Sequence, residues 1–268
     1  MQARESPLIV LDAGSGARRL GEDCAKRESG FNPLSANVQH KDEVHFFLSH
    51  VHWDHVQGFP FFVPAYMPKT KIFFYEHSRA PAAISDTMKL QQRPPNFPNV
   101  NFKTLPGEVM FREMPVPFLS PVRVGAATVA AFPVQHPNSA FGYQVKADGK
   151  AFVFATDNEH GDALNPVLLQ AAQNADILYY DAQYLPEEYP KKINWGHSTY
   201  EWGVLTALAA NVKTLVLGHH EPSRDDFGLA KLLSRAKEFA ASQVRKKGNK
   251  GKTIEVRLAY DGMVCELR

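Results

Sequence analysis

Sulfur ligands are nearly absent from this chain. It has two cysteines, Cys24 and Cys265, far apart in sequence and in no CxxC pair. That excludes a disulfide scaffold and a thiolate metal cage, and it suits a reducing, cytoplasmic setting. Long apolar runs are missing as well. The N-terminal LIVL is only four residues long before Asp12, too short for a signal-peptide core or a membrane span. Charge of one sign is not in excess: the formal net charge is +2, so electrostatics alone point to neither nucleic acid nor a membrane partner. No tandem repeat at a solenoid period is visible. What remains is ordinary globular material. The 268 residues are 44% hydrophobic and 22% charged, which suffices for a large core and argues against global disorder.

Short apolar runs recur, each ending in a polar residue with chemical potential. LIVLD stops at Asp12, VHFFLSH at His50, AFVFATD at Asp157, ADILYYD at Asp181 and VKTLVLGH at His219. Runs rich in Val, Ile, Phe and Tyr predict buried strands, and functional groups at their carboxyl ends fall along one sheet edge, where open α/β folds bind ligands. Helices are expected between them. Ser198 with Glu201 three residues on forms a capping-box signal for a helix over 199–210, and a long amphipathic helix begins after Ser223 and stops near Gly248. The segment from Ile254 to Leu267 predicts a hairpin turning at Asp261-Gly262. Alternating strands and helices in both halves predict an α/β fold, with residues 1–268 as one domain ending in the helix and hairpin of 224–268.

The densest chemistry is SHVHWDHVQG, Ser49 to Gly58. Imidazole and carboxylate at such spacing suit a divalent cation such as Zn²⁺ or Mn²⁺. A helix cannot aim His50 and His52 at one point, since residues two apart diverge, whereas a loop after a strand can. His50 and His52 would serve one ion, Asp54 and His55 at the start of the next helix a second. Further donors come from other strand ends: His136, Asp157 and His219. The tally is His50, His52 and His136 on one ion, Asp54, His55 and His219 on the other, with Asp157 shared, leaving positions open for water and substrate as catalytic sites require.

The H-x-H-x-D-H stretch His50–His55, the later His136, Asp157 and His219, and the opening LDAGSG together resemble the metallo-β-lactamase superfamily. The resemblance covers about residues 8 to 222. It implies an αβ/βα four-layer sandwich, two mixed sheets with helices outside, and two divalent ions, zinc first with manganese or iron as alternatives. It implies that Asp12 buttresses the metal loop by hydrogen bonding, and it selects His219 over His220 as the ligand. Relatives normally begin with a strand ahead of the LIVLDAG equivalent, so the first family strand is expected to be absent or the sequence shortened. Family members often form dimers, and a homodimer is carried over on that ground.

The region ADILYYDAQY to LGHHEP resembles the branch holding ribonuclease Z and small cyclic phosphodiesterases. That branch pairs an acidic residue with the histidine of an H-S-T motif, here Asp181 and His197; the family usually has glutamate where Asp181 stands. The implied chemistry is phosphodiester hydrolysis, with a metal-activated water as nucleophile, His197 donating a proton to the leaving group, Asp181 orienting it, and Asp54 accepting the water's proton. Bacterial tRNA-processing members carry a long arm between the third histidine motif and the bridging aspartate. Here His136 and Asp157 are only 21 positions apart, room for a hairpin, which argues against tRNA as substrate.

A small phosphodiester such as a cyclic nucleotide is therefore the expected substrate. Phe61, Phe62, Tyr66 and Phe97 offer a wall on which a base could stack, although such residues more often form core. His160 is read either as a pocket residue reaching a phosphate or as a solvated loop residue, and His220 as a pocket or surface residue; His40, His45 and His77 receive no role. Arg18 and Arg19 could lie near a phosphate, and the basic run Arg245–Lys252 is read as a solvated helix end and loop. Two competing functions use the same scaffold: a hydrolase of lactones, thioesters or sulfate esters, for which Asp181 and His197 matter less, and a non-catalytic metal-binding module.

Overall fold

A computed structural model describes residues 7–25, 43–77, 83–97, 102–249 and 251–267. The chain divides into two compact units: residues 1–115 with 122–126, and residues 116–121 with 127–268. His40 lies outside the described residues, as does Lys250 of the basic run.

The first unit is built on strands β1 (Leu8–Leu11), β2 (Glu43–Phe47), β3 (Lys71–Glu76) and β4 (Glu108–Glu113), which pair in that order with every described pairing parallel. The central strands β2 and β3 are buried almost end to end, as near-continuous apolar runs such as VHFF demand. Helices α1 (Gly16–Ala25), α2 (Trp53–Val56) and α3 (Ile84–Gln91) fall between or after them. The core is aromatic. Phe46 stacks on Phe74 at 5.0 Å and meets Phe59 and Phe62 edge-on, with Val10, Val44, Ile72 and Met88 filling in. Register places Leu11 opposite Phe47, so the residues after β1 and β2 emerge together at the carboxyl edge. β1 is the outermost described strand of this sheet.

The second sheet has seven strands in the order β11-β10-β9-β8-β7-β6-β5. They are β5 (Pro121–Val124), β6 (Ala127–Val134), β7 (Ala140–Ala147), β8 (Lys150–Ala155), β9 (Ile177–Asp181), β10 (Thr214–Gly218) and β11 (Glu255–Leu258). β6, β7 and β8 are antiparallel neighbours, while β8 to β11 run parallel. The β7–β8 turn is Asp148-Gly149, both with positive φ (50° and 73°), the two-residue connection that matches the natural twist of a hairpin. Thus the gap between His136 and Asp157 holds a tight hairpin, as the sequence predicts. Parallel strands require crossovers, supplied by α4 (Pro166–Ala172), α5 (Tyr200–Ala209) and α6 (Asp226–Val244). α5 and α6 pack on one apolar core with Leu178, Val204, Leu215, Leu217, Leu232 and Ala236. The expected α/β class with two sheets and accompanying helices is what the chain adopts. No helix among the described residues is long and apolar enough to cross a membrane.

Three local expectations need correction. α5 starts at Tyr200 with Thr199 in the N-cap position and no side-chain cap, because the Ser198 hydroxyl lies 2.8 Å from His160 Nδ1 and 3.1 Å from the Tyr180 hydroxyl instead. α6 is capped by Asp225, whose Oδ1 accepts from the Gly228 amide at 2.8 Å; Ser223 turns to Glu221. The C-terminal hairpin is not formed. The turn at 260–263 is present, with Gly262 at φ 84° and the Met263 amide bonded to Tyr260 O, but residues 263–267 join no strand. Val264 and Leu267 stay exposed there, so no burial rewards pairing of the returning arm.

Candidate functional site

In the first unit the carboxyl edge of β1 and β2 carries the histidine-rich loop. Asp12 follows β1 in the left-handed region, at φ 61°, which a non-glycine residue adopts only at a cost. That conformation aims its carboxylate at the next loop. Oδ1 accepts from the Ser49 amide at 2.6 Å, and Oδ2 accepts from the Ser49 hydroxyl at 2.9 Å and from His55 Nδ1 at 2.8 Å. The backbone reinforces this: the Ala13 amide donates to His55 O, and Gly58 N to Ala13 O. A side chain on Gly58 would run into Gly14 O, so the two loops pack backbone to backbone. Asp12 thus makes three hydrogen bonds to the loop. The rings of His50 and His52 lie 4.3 Å apart, as do those of His50 and His55. Asp54 sits on the first turn of α2, largely exposed, with Oδ2 3.1 Å from His55 Nε2.

In the second unit the parallel register does the positioning. Ala155 pairs with Tyr180, and Asp181 with Gly218. Asp157, Asp181 and His219 therefore leave three adjacent strands on the same edge. Asp157 and His219 have φ of 46° and 54°, the same left-handed exit seen at Asp12. Ligand atoms of Asp157, Asp181, His197 and His219 all lie within 4.8 Å of one another. Asp157 Oδ1 is 3.1 Å from His219 Nε2, and its Oδ2 is 3.7 Å from His136 Nε2. Asp181 is fully buried: Oδ1 accepts from the Ser198 and Gln183 amides at 3.0 and 3.1 Å, and Oδ2 from His197 Nδ1 at 2.8 Å. The His197 ring stacks on that of His219 at 4.9 Å and meets His136 edge-on at 5.4 Å.

One pattern runs through both units. His55 Nδ1 donates to Asp12, His136 Nδ1 to Gly196 O at 3.0 Å, and His219 Nδ1 to Gln183 Oε1 at 3.0 Å. The Gln183 orientation is set by its amide nitrogen, which donates to Glu221 at 3.2 Å. The Ser49 hydroxyl gives its proton to Asp12, so it can only accept from His50 Nδ1 at 3.0 Å. Each of these partners accepts, which places the neutral ring's proton on Nδ1 and leaves the Nε2 lone pair facing inward. Such outer hydrogen bonds are how metal-ligating histidines are oriented. At Asp157 two such lone pairs face one carboxylate, a mutually repulsive set that a cation relieves. The donors, imidazole and carboxylate without sulfur, fit a divalent ion of the zinc or manganese kind.

The other predicted residues fall less evenly. His160 is not a solvated loop residue. It is 8% exposed, bonded to Ser198, and lies against Trp202 (4.8 Å) and Tyr189 (4.0 Å); burial pushes its imidazole down to about 4. His220 Nε2 lies 3.3 Å from Ala259 O, and burial lowers its pKa. Of the aromatic wall, Phe62 is buried core and the Tyr66 hydroxyl is tied to Pro60 O, leaving Phe61 exposed against Phe97 at 5.8 Å. Arg18 pairs with Glu22 on the exposed face of α1, and Lys252 donates to Leu208 O. Sequence reasoning missed Ser49, Gln183, Glu159, Tyr189 and Gly196. Each acts through atoms far away in the chain, Ser49 through Asp12 as well as its neighbour His50.

Comparison with known proteins adds the following. A family model described as "Beta-lactamase superfamily domain" matches residues 8–220. Ribonuclease Z of Brevibacillus brevis is 33% identical over 101 residues, 36% of this chain and 30% of that protein, so the match spans under a third of that relative's length. Among solved structures, the metallo-β-lactamase fold protein YhfI of Bacillus subtilis superposes with a TM-score of 0.62 at 17% identity, over 96% of this chain and 87% of that one. The short form of human tRNase Z gives 0.61 at 17% identity, over 97% and 88%. At that identity the likeness establishes a shared fold.

Proposed function

This chain belongs to the β-lactamase superfamily, and we propose that it is a metal-dependent hydrolase whose substrate is a small phosphodiester, of the cyclic nucleotide kind, a reading supported by its similarity to ribonuclease Z and by its clusters of side chains able to hold a metal. The observation that carries this reading is the His197–Asp181 pair, 2.8 Å apart, within the same cluster as Asp157 and His219. We assign the ions, zinc first, to His50, His52, Asp54, His55, His136, Asp157 and His219, with Asp157 serving both. When bound, a pair of divalent ions supplies an activated water and offsets charge on the phosphoryl oxygens.

The remaining work falls to side chains of the chain itself. A departing alkoxide needs a proton, and His197 is the group able to deliver it. Its Nδ1 is held by Asp181, so Nε2 is the atom that would carry the transferable proton. The Asp181 carboxylate faces the ring and keeps both of its own oxygens satisfied, so it orients His197. Asp54, exposed beside His55, is assigned to accept the proton released by the attacking water. The short hairpin between His136 and Asp157 leaves no arm for gripping a tRNA, which favours a small substrate over a folded RNA.

The test is turnover of bis-p-nitrophenyl phosphate and a panel of cyclic nucleotides with Zn²⁺ or Mn²⁺, alongside lactones, thioesters and sulfate esters. Phosphodiester turnover that is lost on chelation supports the proposal. Turnover confined to lactones, thioesters or sulfate esters would overturn the substrate assignment, and ion binding without hydrolysis of any ester would overturn the catalytic one.

A further inference from the structure

Glu159 lies two residues beyond Asp157 and is buried at 5% exposure, and among the described residues it forms no salt bridge. Its charge is met by three donors from one segment. Oε1 accepts from the Tyr189 hydroxyl at 2.8 Å and from the Asn194 amide at 2.7 Å, and Oε2 accepts from the Gly196 amide at 2.9 Å. The Tyr189 hydroxyl also lies 3.0 Å from His160 O, so its one proton is shared between the two acceptors, and the Glu159 amide donates to Gln135 O at 2.7 Å, the residue just before His136. A buried carboxylate is tolerated only when so satisfied, and here all three donors lie in the irregular stretch 189–196.

That stretch is one short turn followed by loop, and it exposes Ile193 and Trp195. Its other contacts include short-range turn bonds, the Tyr189 ring against His160 at 4.0 Å, and Lys192 over the Tyr184 and Trp195 rings. Its end matters most. Gly196 is at φ 91°, a conformation reserved for glycine, and a Cβ there would run into His136 Nδ1. The carbonyl of Gly196 accepts from His136 Nδ1, and the next residue is His197. One carboxylate thereby fixes the loop that sets the orientation of one imidazole and carries another.

We propose that Glu159 is a positioning residue: its carboxylate clamps residues 189–196, and through the Gly196 carbonyl it holds His136 with Nδ1 protonated and Nε2 turned toward Asp157. The part that concerns metal affinity rests on the assignment of His136 as a ligand; the part that concerns the ring itself does not. Glu159→Gln keeps the size but places an NH₂ against backbone or hydroxyl donors, so the clamp loses at least one bond and gains a clash of donors.

The experiment is ¹⁵N NMR of imidazoles in the metal-free full-length protein, followed by titration of Zn²⁺ against a chromophoric chelator. In the wild type, His136 Nδ1–H gives a protected, hydrogen-bonded signal. In Glu159→Gln that signal is lost or exchange-broadened while the rest of the spectrum persists, and Zn²⁺ affinity falls about 10–100-fold, the usual effect of losing an outer hydrogen bond to a ligand. A His136 signal unchanged in Glu159→Gln overturns the proposal, even if the melting temperature drops. If Glu159→Gln does not fold, Tyr189→Phe decides: it removes one of the three donors, and an unchanged His136 signal there overturns the proposal equally. A wild type that shows the His136 effect but binds no Zn²⁺ would defeat the metal assignment and leave the clamp standing.

Discussion

His197 and Asp181 set the sharpest expectation at the scale of single residues. If Nε2 of His197 delivers the leaving-group proton, His197→Ala lowers kcat on a cyclic nucleotide, whose leaving group is an alkoxide, by roughly 10²–10⁴, with a much smaller change in KM. Bis-p-nitrophenyl phosphate has a far better leaving group that needs less proton donation, so the loss should shrink there. Equal losses on good and poor leaving groups would remove the acid role. Single residues are also where reading the sequence worked unevenly. The H-x-H-x-D-H run is visible because its donors are adjacent. Asp157 and His219 are visible because each ends an apolar run. Glu159, Gln183 and Ser49 are invisible because their value lies in hydrogen bonds to atoms that only folding brings near. Gln183 and Glu221, for example, are joined across 38 positions.

The elements themselves were the legible part. Strands β1, β2, β8, β9 and β10 stand where apolar runs end in Asp12, His50, Asp157, Asp181 and His219. Burial of both faces is readable as composition, and parallel register then aligns the strand ends without further information. Helix starts were less legible, for a definite reason. A serine in cap position bonds whichever partner is better placed, and at Ser198 the better partners are His160 and Tyr180, residues brought in by other elements. The loop from Tyr189 to Gly196 tests how much an irregular element contributes. Gly196→Ala forces a Cβ into His136 at a φ that only glycine favours. It should cost about 1–3 kcal/mol of stability and disturb His136 as well. Urea denaturation reads the first effect, and Zn²⁺ competition the second, with an affinity loss of about tenfold or more. Wild-type values for both would mean that the loop adjusts freely and does not position the ring.

Across the whole molecule, buried histidines couple stability to pH. Burial holds His160 in the second unit and His77 in the first at about 4, below the ordinary 6.5. Between those values the unfolded chain takes up protons that the native one refuses. Stability therefore falls as pH drops from about 6.5 toward 4, and is flat with respect to these groups above it. Each contributes a slope of at most about 1.4 kcal/mol per pH unit. In metal-free protein, His160→Phe should flatten the dependence over that window, measured by urea denaturation at a series of pH values; an unaltered slope would show that His160 is not buried as described. What the sequence reveals at this scale is the family and its α/β class with two sheets, because strand order is written along the chain. It does not reveal how each ligand is held, because that depends on single contacts spread over both units.

The central claim is that imidazoles and carboxylates from strand ends of one chain hold a pair of ions around Asp157. Its most direct test is divalent-ion content per chain after reconstitution and desalting, measured by elemental analysis on wild type and Asp157→Ala. The wild type should retain about two ions per chain and the variant at most half of that, since the shared ligand is gone. A wild type that retains none, or an Asp157→Ala protein that retains as many as the wild type, would contradict the account.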